Sequence, residues 1–245
     1  MNATLTFSTA VRVLRQLSHD PRSIVLMLVA PSLLVGLFAW LFSEQEGIFD
    51  QFGGPILGLF PFIVMFLITS ITMQRERVSG TLERILTTPL RRLDLLAAYG
   101  TAFSIAAAAQ ATLACVISFW FLGLDTKGSP ILVFSIAIIN AVLGVGLGLL
   151  CSAFARTEFQ AVQFMPVVIA PQLLLCGIIV PREVLPDWLQ WISNVLPASY
   201  ALEALQQVGA YSEPTFIAVR DIAVVVGFAV LALCLAAATL RRRTP

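Results

Sequence analysis

Residue types that carry out catalysis are sparse in this chain. A phosphate-binding loop needs a glycine-rich turn whose lysine reaches the phosphates, and the only lysine, Lys127, lies in a short polar turn. The only histidine is His19, in the N-terminal interfacial segment, so a Ser-His-Asp triad or a histidine-rich zinc site inside the membrane is excluded. Glu76 and Glu83 are the best acid and base pair, but neighbouring arginines favour their charged forms. We therefore expect no catalytic residue and no metal site.

Charged residues instead gather in one stretch between two apolar runs, RERVSGTLERILTTPLRR at 75–92. Leu82 and Leu86 recur at helical spacing, which predicts a one-sided helix of about two turns. Gly80 is a candidate N-cap, and Pro89 ends the helix. A helix this short must dock its apolar side into lipid headgroups or a groove on another protein. The alternative is a loop helix that merely joins two spans.

The composition places the chain in a membrane. Of its 245 residues, 58% are hydrophobic and 12% are charged, with a mean hydropathy of +0.91, so a soluble globule would lack a polar surface. Arginines cluster in alternate segments between the apolar runs. By the positive-inside rule, both termini are predicted to be cytoplasmic and the number of spans even.

The expected fold class is all-α, a polytopic membrane protein of a single domain over 1–245. Residues 1–23 predict an interfacial amphipathic helix whose arginines attract lipid headgroups. Residues 181–209 are too polar for a span and predict two short helices, either dipping into the outer leaflet or lying flat in the interface. Six spans are expected, at 24–42, 54–73, 94–122, 131–154, 159–180 and 216–240.

Small and polar residues inside the spans predict contacts between helices. Gly144 and Gly148 favour close approach of two helix backbones, and the partner helix is either in the same chain or in a second protomer. Polar span residues form helix-to-helix hydrogen bonds or line a substrate pathway. The candidates for pathway lining are Gln110, Asn140, Gln163 and Gln172.

Two blocks of sequence resemble the ABC type-2 transporter permease family. The first runs from Glu76 through Gly80-Thr81-Leu82-Glu83 to Thr88-Pro89 and Arg92, between the second and third spans. The second is Leu196-Pro197-Ala198-Ser199-Tyr200 with Glu203-Ala204-Leu205, before the last span. Their order and spacing extend the resemblance over nearly the whole chain. The chain departs from many members at Arg77, Val78 and Arg91, which suggests a particular cognate partner.

The resemblance implies roles for both blocks. Segment 75–92 holds the family's coupling helix, which sits in a cleft of a separate ATPase subunit, and segment 181–209 is its external re-entrant hairpin. The implied ATPase contacts are Glu76, Gly80, Thr81, Leu82, Glu83 and Arg84. Arg91 and Arg92 are expected to meet lipid headgroups or the ATPase. The hairpin residues are Trp188, Trp191, Tyr200 and Glu203.

By the same resemblance, the chain is expected to be the permease subunit of an exporter for a lipophilic drug or lipid. Two ATPase subunits would bind ATP and Mg, with no cofactor in this chain, and a second permease subunit, identical or homologous, would complete the pathway. The expected location is a bacterial-type inner membrane, with no nucleic acid partner. Alternatives are a membrane scaffold that recruits a cytoplasmic partner without transport, an exporter of a polysaccharide or lipid-linked glycan, and a membrane enzyme acting on lipids.

Overall fold

A computed structural model describes residues 3–45, 47–81 and 92–239, and over those residues it is all-helical, with no strand. A π-helical turn, Ile117–Phe121, follows α4, and a 3-10 turn, Arg182–Val184, precedes α7. The α-helices are α1 Ala3–Ser18, α2 Pro21–Leu41, α3 Ile48–Val78, α4 Arg92–Val116, α5 Pro130–Ser152, α6 Glu158–Leu175, α7 Asp187–Val195, α8 Pro197–Ala210 and α9 Phe216–Thr239.

Six of the described helices are long and apolar enough to cross a membrane, which confirms the predicted polytopic fold. The second span differs in length from its prediction: α3 extends beyond 54–73 at both ends, with Asp50 in its first turn and arginines in its last. The fifth span is shorter than 159–180. It ends at Leu175 because Gly177 adopts φ +90°, a conformation that a helix cannot continue through.

Helix starts follow the local sequence. The Asp20 carboxylate accepts a hydrogen bond from the Ser23 amide at 3.3 Å, and Pro21 occupies the first turn of α2. At the start of α6 the Thr157 hydroxyl accepts from the Gln160 amide at 3.1 Å. These caps satisfy amides that have no partner within the helix.

Helix α3 lies at the centre of the bundle, packed against α2, α5, α6 and α8. Its Phe62 and Phe66 are fully buried. A Cβ built on Gly148 would stand 2.5 Å from the Phe66 carbonyl oxygen, and one on Gly144 would collide with the Phe62 carbonyl oxygen. The close contact predicted for Gly144 and Gly148 is therefore internal, between α5 and α3.

Helix α1 packs against α4 and α2. Ala10 and Val13 are buried in that contact, whereas Phe7 is 72% exposed. The exposed ring of Phe7 agrees with a position of α1 at the level of the lipid headgroups. That interfacial position stays a prediction.

The segment between the fifth and sixth spans forms two short helices, as predicted. Helix α8 buries Ala201, Leu202 and Leu205 and packs against α3 and α9. Helix α7 exposes Trp188 and Trp191. Amphipathic aromatic side chains favour the membrane interface. The re-entrant or interfacial position of the two helices stays a prediction.

Candidate functional site

The predicted coupling segment begins where α3 ends. Arg75, Glu76 and Arg77 belong to the last turn of α3, so the first part of the segment continues the second span rather than starting a new helix. Gly80 adopts φ +71° and is followed by Thr81 in helical conformation. Gly80 thus lies just after the Ser79 C-cap of α3, where a left-handed glycine is typical of a helix end. Its predicted role as the N-cap of a following helix concerns a helix outside the described residues.

Among the described residues at this end of the bundle, Glu76 has the most side-chain partners, and it is only 3% exposed. Its Oε1 accepts a hydrogen bond from Gln16 Nε2 at 2.7 Å, and its Oε2 accepts one from the Tyr99 hydroxyl at 3.0 Å. Arg12 donates to the Tyr99 hydroxyl at 2.8 Å and lies 3.9 Å from Glu76 Oε2. One buried carboxylate thus joins α1, α3 and α4, four residues before Gly80.

A second ion pair joins the end of α3 to the start of α6. Arg75 donates to both carboxylate oxygens of Glu158, at 3.1 and 3.2 Å. The two side chains are 59% and 48% exposed, so water and salt weaken the pair. The pair brings the loop before the fifth span next to the coupling segment.

Of the predicted ATPase contacts, Glu76, Gly80 and Thr81 are described. The Ser79 and Thr81 hydroxyls lie 2.9 Å apart and share a hydrogen bond. Glu76 faces α1 and α4 rather than a free surface, so it positions the segment. Leu82, Glu83, Arg84 and Arg91, and the side chain of Arg92, lie outside the described residues. Their contacts with an ATPase or lipid stay predictions.

Three of the four candidate pathway residues are buried within the bundle. Asn140 Nδ2 donates to the Gly58 carbonyl oxygen at 2.9 Å, which ties α5 to α3. Gln172 accepts from the Ala198 amide at 3.2 Å, which ties α6 to α8. Gln110 is fully buried in α4, and its amide has no hydrogen-bond partner among the described residues. Gln163 is exposed, so of the four it alone presents an amide on the protein surface.

The hairpin residues divide into two groups. Trp188 and Trp191 are exposed on α7. Tyr200 donates to the Asn194 carbonyl oxygen at 2.7 Å and lies under the Arg182 guanidinium, while Glu203 pairs with Arg182. Tyr200 and Glu203 therefore belong to a charged cluster that joins α8 to Arg182 and to the end of α7.

Sequence reasoning missed the partners of Glu76. Arg12 and Gln16 lie one helical turn apart on α1, and this spacing was the available signal for a shared target. Tyr99 gave none, since an aromatic residue in a span is ordinarily packing. Among the described residues, no group of three or more histidine, cysteine, aspartate or glutamate side chains could hold a metal ion.

Comparison with known proteins places these features in a family. Residues 4–208 match the family described as ABC-2 type transporter. ABC transporter G family member 20 of Dictyostelium discoideum is 28% identical over 169 residues, which are 69% of this chain and 23% of that protein. The probable multidrug ABC transporter permease YbhR of Escherichia coli is 29% identical over 153 residues, 62% of this chain and 42% of the permease.

The linearmycin resistance permease protein LnrN of Bacillus subtilis is 25% identical over 137 residues, 56% of this chain and 35% of that protein. The matched part of this chain thus spans less than half the length of each of these three relatives. The family match itself covers most of the chain and includes all the described side chains of the Glu76 cluster. This multi-pass membrane protein belongs to the ABC-2 type transporter family.

Proposed function

We propose that the chain is the permease subunit of an ATP-driven exporter that moves a lipophilic drug or lipid-like substrate out of the cytoplasm or the inner leaflet. Family membership and the six apolar helices support a membrane subunit. Two relatives are named for multidrug transport and for linearmycin resistance, which supports a drug as the cargo.

The observation that carries the proposal is the anchoring of the end of α3. The buried Glu76 carboxylate binds groups from α1 and α4, and the chain turns four residues later at Gly80. A segment that receives force from a partner transmits it only if its root is rigidly joined to the spans. The Glu76 cluster supplies that joint, so a push on segment 80–92 would move α1, α3 and α4 together.

The motor in this proposal is a separate ATPase. Two copies would bind ATP and Mg and press on the coupling segments as they close on nucleotide. Glu83 and Arg84, in the G-T-L-E-R run, would meet the ATPase surface. Arg91 and Arg92 would contact lipid headgroups or the same subunit.

A second permease subunit, identical or homologous, would cover the exposed face of α6. Gln163 is exposed there within a membrane-spanning helix, next to Val162 and Phe159. An amide facing hydrocarbon without a hydrogen-bond partner is costly, so a polar partner or a hydrated pathway must meet it. Of the four pathway candidates, Gln163 is therefore the one whose amide is placed to meet the second subunit or a hydrated pathway.

Orientation follows from the arginine distribution. Arg12, Arg15, Arg75 and Arg156 lie at one end of the bundle's helices, where the positive-inside rule puts the cytoplasm. Both termini are then cytoplasmic, and the loops around Lys127 and Arg182 are external. A bacterial-type cell membrane fits the bacterial relatives.

The test is reconstitution in proteoliposomes with the ATPase encoded beside the gene. ATP hydrolysis and ATP-dependent movement of a lipophilic dye are measured for wild type, Glu83→Arg and Glu44→Arg. Glu44 is an exposed acid in the loop at the other end of the spans and serves as the matched control. We expect the permease to stimulate hydrolysis and Glu83→Arg alone to abolish the stimulation while the complex stays assembled. An ATPase that binds with unchanged turnover in all three forms would favour a scaffold.

A further inference from the structure

A cleft of about 730 Å³ opens at the end of the bundle opposite the coupling segment. One wall consists of the turn 122–129 and the first turn of α3, including Asp50, Asp125 and Lys127. The other wall is the segment 177–184, including Gly177 and Arg182, and α8 contributes Glu203 to the lining. The two walls are held in place by different kinds of contact.

The turn 122–129 is fixed by its backbone. The Gly128 amide donates to the Val208 carbonyl oxygen at 2.9 Å, and the Asp125 amide donates to Asp50 Oδ1 at 2.9 Å. A Cβ on Gly128 would stand 2.5 Å from the Val208 oxygen, so backbone meets backbone without a gap. These contacts join this wall to α8 and α3.

Segment 177–184 is held differently. Its backbone hydrogen bonds are local, from Val184 to Pro181 at 3.1 Å and from Leu185 to Arg182 at 3.2 Å. Side chains join it to α8: Arg182 binds Glu203, and Gln206 donates to the Gly177 carbonyl oxygen at 3.4 Å, near the limit of a hydrogen bond. Among the described residues, the Arg182–Glu203 ion pair is the strongest polar contact between this wall and α8, and Ile178 packs against the apolar core.

The segment also begins at a natural hinge. Helix α6 ends at Leu175, and Gly177 follows with φ +90°, a conformation that residues with a side chain rarely adopt. Hinges are residues at the ends of elements that absorb a backbone change. Rotation at Gly177 would swing Arg182 away from α8 without unwinding a helix.

The ion pair belongs to a four-residue charge network. Arg182 also binds Asn194 Oδ1, and its guanidinium lies 5.5 Å above the Tyr200 ring. The other Glu203 oxygen lies 3.8 Å from Arg220, which pairs with the fully buried Asp221 at 2.7 Å. The positive charges of the two arginines equal the negative charges of the two acids in number. Glu203 contacts both Arg182 of segment 177–184 and Arg220 of the last span.

The Glu203 carboxyl is partly withdrawn from water in this network and loses hydration free energy. Burial raises the pKa of its carboxyl, the nearby Asp221 carboxylate raises it further, and Arg182 and Arg220 oppose the rise. An ion pair withdrawn from water is stabilising only to the extent that its partners replace the lost hydration. Separation of Arg182 from Glu203 would rehydrate both groups, which suits a contact that opens and closes.

We propose that residues 177–184 form a flap over this cleft, hinged at Gly177 and latched shut by the Arg182–Glu203 ion pair. Breaking the pair frees the flap while the opposite wall stays in place. The inference rests on the proposed function in one respect: ATP-driven transport supplies the force that opens the latch and lets substrate leave on the external side.

Spin labels at Val180 on the flap and Lys127 on the fixed wall test the latch. The distance between them is measured by double electron–electron resonance, in a background without the four native cysteines and with unlabelled protein in excess. We expect a narrow distribution that Arg182→Gln and Glu203→Gln each broaden and lengthen, with no further change in the double variant. Glu183→Gln, the adjacent acid in the same turn, is the matched control and is expected to behave as wild type.

Unchanged distances in both single variants, or effects that add in the double variant, would overturn the latch. Arg182→Lys keeps the charge and loses the fork that reaches both Glu203 and Asn194, so an intermediate broadening is expected. It provides a gentler break of the same contact if Arg182→Gln does not fold.

These measurements use the permease without ATPase or nucleotide, so failure of the export proposal leaves them valid. A separate arm adds the ATPase with ATP and vanadate to wild type. Lengthening of the Val180–Lys127 distance in the trapped complex is the expected result. An unchanged distance in a complex that moves the dye would remove the flap from the transport cycle.

Discussion

The Tyr99 hydroxyl donates a 3.0 Å hydrogen bond to Glu76 Oε2 and so joins the third span to the end of the second. The same hydroxyl accepts a 2.8 Å bond from Arg12, and Gln16 binds the other Glu76 oxygen. A buried acceptor shared in this way sets the direction in which the chain leaves α3. The following predictions start from this cluster.

Glu76→Ala is expected to lower the free energy of unfolding by about 1–3 kcal/mol, because the Tyr99 and Gln16 donors and the Arg12 charge lose their acceptor. ATPase stimulation should fall more than stability does, because the root of the coupling segment is loosened. The measurements are the thermal unfolding midpoint in detergent and the stimulated ATP hydrolysis in proteoliposomes.

Tyr99→Phe is the matched variant, since it removes only the hydroxyl and keeps the ring in the core. It should weaken stimulation less than Glu76→Ala because Gln16 still binds the carboxylate. Full stimulation by a folded Glu76→Ala permease would show that the cluster does not transmit force.

The exposed Arg75–Glu158 pair should behave differently. Arg75→Glu is expected to change the unfolding free energy by less than about 1 kcal/mol, since both side chains are solvated. The effect on stimulation should be larger than on stability and should be reversed by adding Glu158→Arg. The double-mutant cycle measures this, and additive effects of the two substitutions would exclude the pair as a coupling contact.

The spans could be predicted from the sequence because hydropathy is a local property. Gly144 and Gly148 also correctly predicted a close contact between two helices. The Glu76 cluster could not be predicted from the sequence, because Gln16 and Tyr99 lie 60 and 23 residues from Glu76 in the chain. Burial of a charged residue depends on such distant partners. The early end of α6 was foreseeable: Gly177, so close to Pro181, is a typical helix stop.

Gly148→Ala tests the packing of α5 against α3. Its Cβ would stand 2.5 Å from the Phe66 carbonyl oxygen, so one backbone must shift. We expect a loss of about 1–3 kcal/mol in unfolding free energy, as for other overpacked cores. Gly36→Ala is the control, because open space surrounds that position in α2 and alanine favours a helix. Equal thermal midpoints for the two variants would contradict the close contact.

Glu203 gives a pH prediction. Burial and Asp221 raise its folded-state pKa against the opposing Arg182 and Arg220, and Glu183 adds a further acidic neighbour. The stabilisation of the folded protein by Glu203 is then fully present when the pH is below the ordinary pKa of glutamate. It is lost as the pH rises through the raised folded-state pKa of Glu203.

Wild type should therefore lose stability relative to Glu203→Gln as the pH rises from about 4 towards 8, because the glutamine does not titrate. Thermal unfolding midpoints of both proteins across this range provide the comparison. A difference that stays constant, or that shifts in favour of wild type with rising pH, would mean that the two arginines outweigh burial at this carboxyl.

Gln163 tests the second permease subunit. Its amide is exposed on α6 within a span, and hydrogen bonds between membrane helices contribute about 0.6–2 kcal/mol. If a partner protomer accepts or donates there, Gln163→Leu should raise the dimer dissociation constant by about fivefold, corresponding to roughly 1 kcal/mol. Energy transfer between labelled protomers, as a function of protein density in the bilayer, measures that constant. Val167→Leu alters an exposed apolar side chain of the same helix without removing an amide and should leave the constant nearly unchanged. If Gln163→Leu associates as tightly as wild type, the amide faces a hydrated pathway instead of a partner protomer. The substitution would then change only the rate of ATP-dependent dye movement.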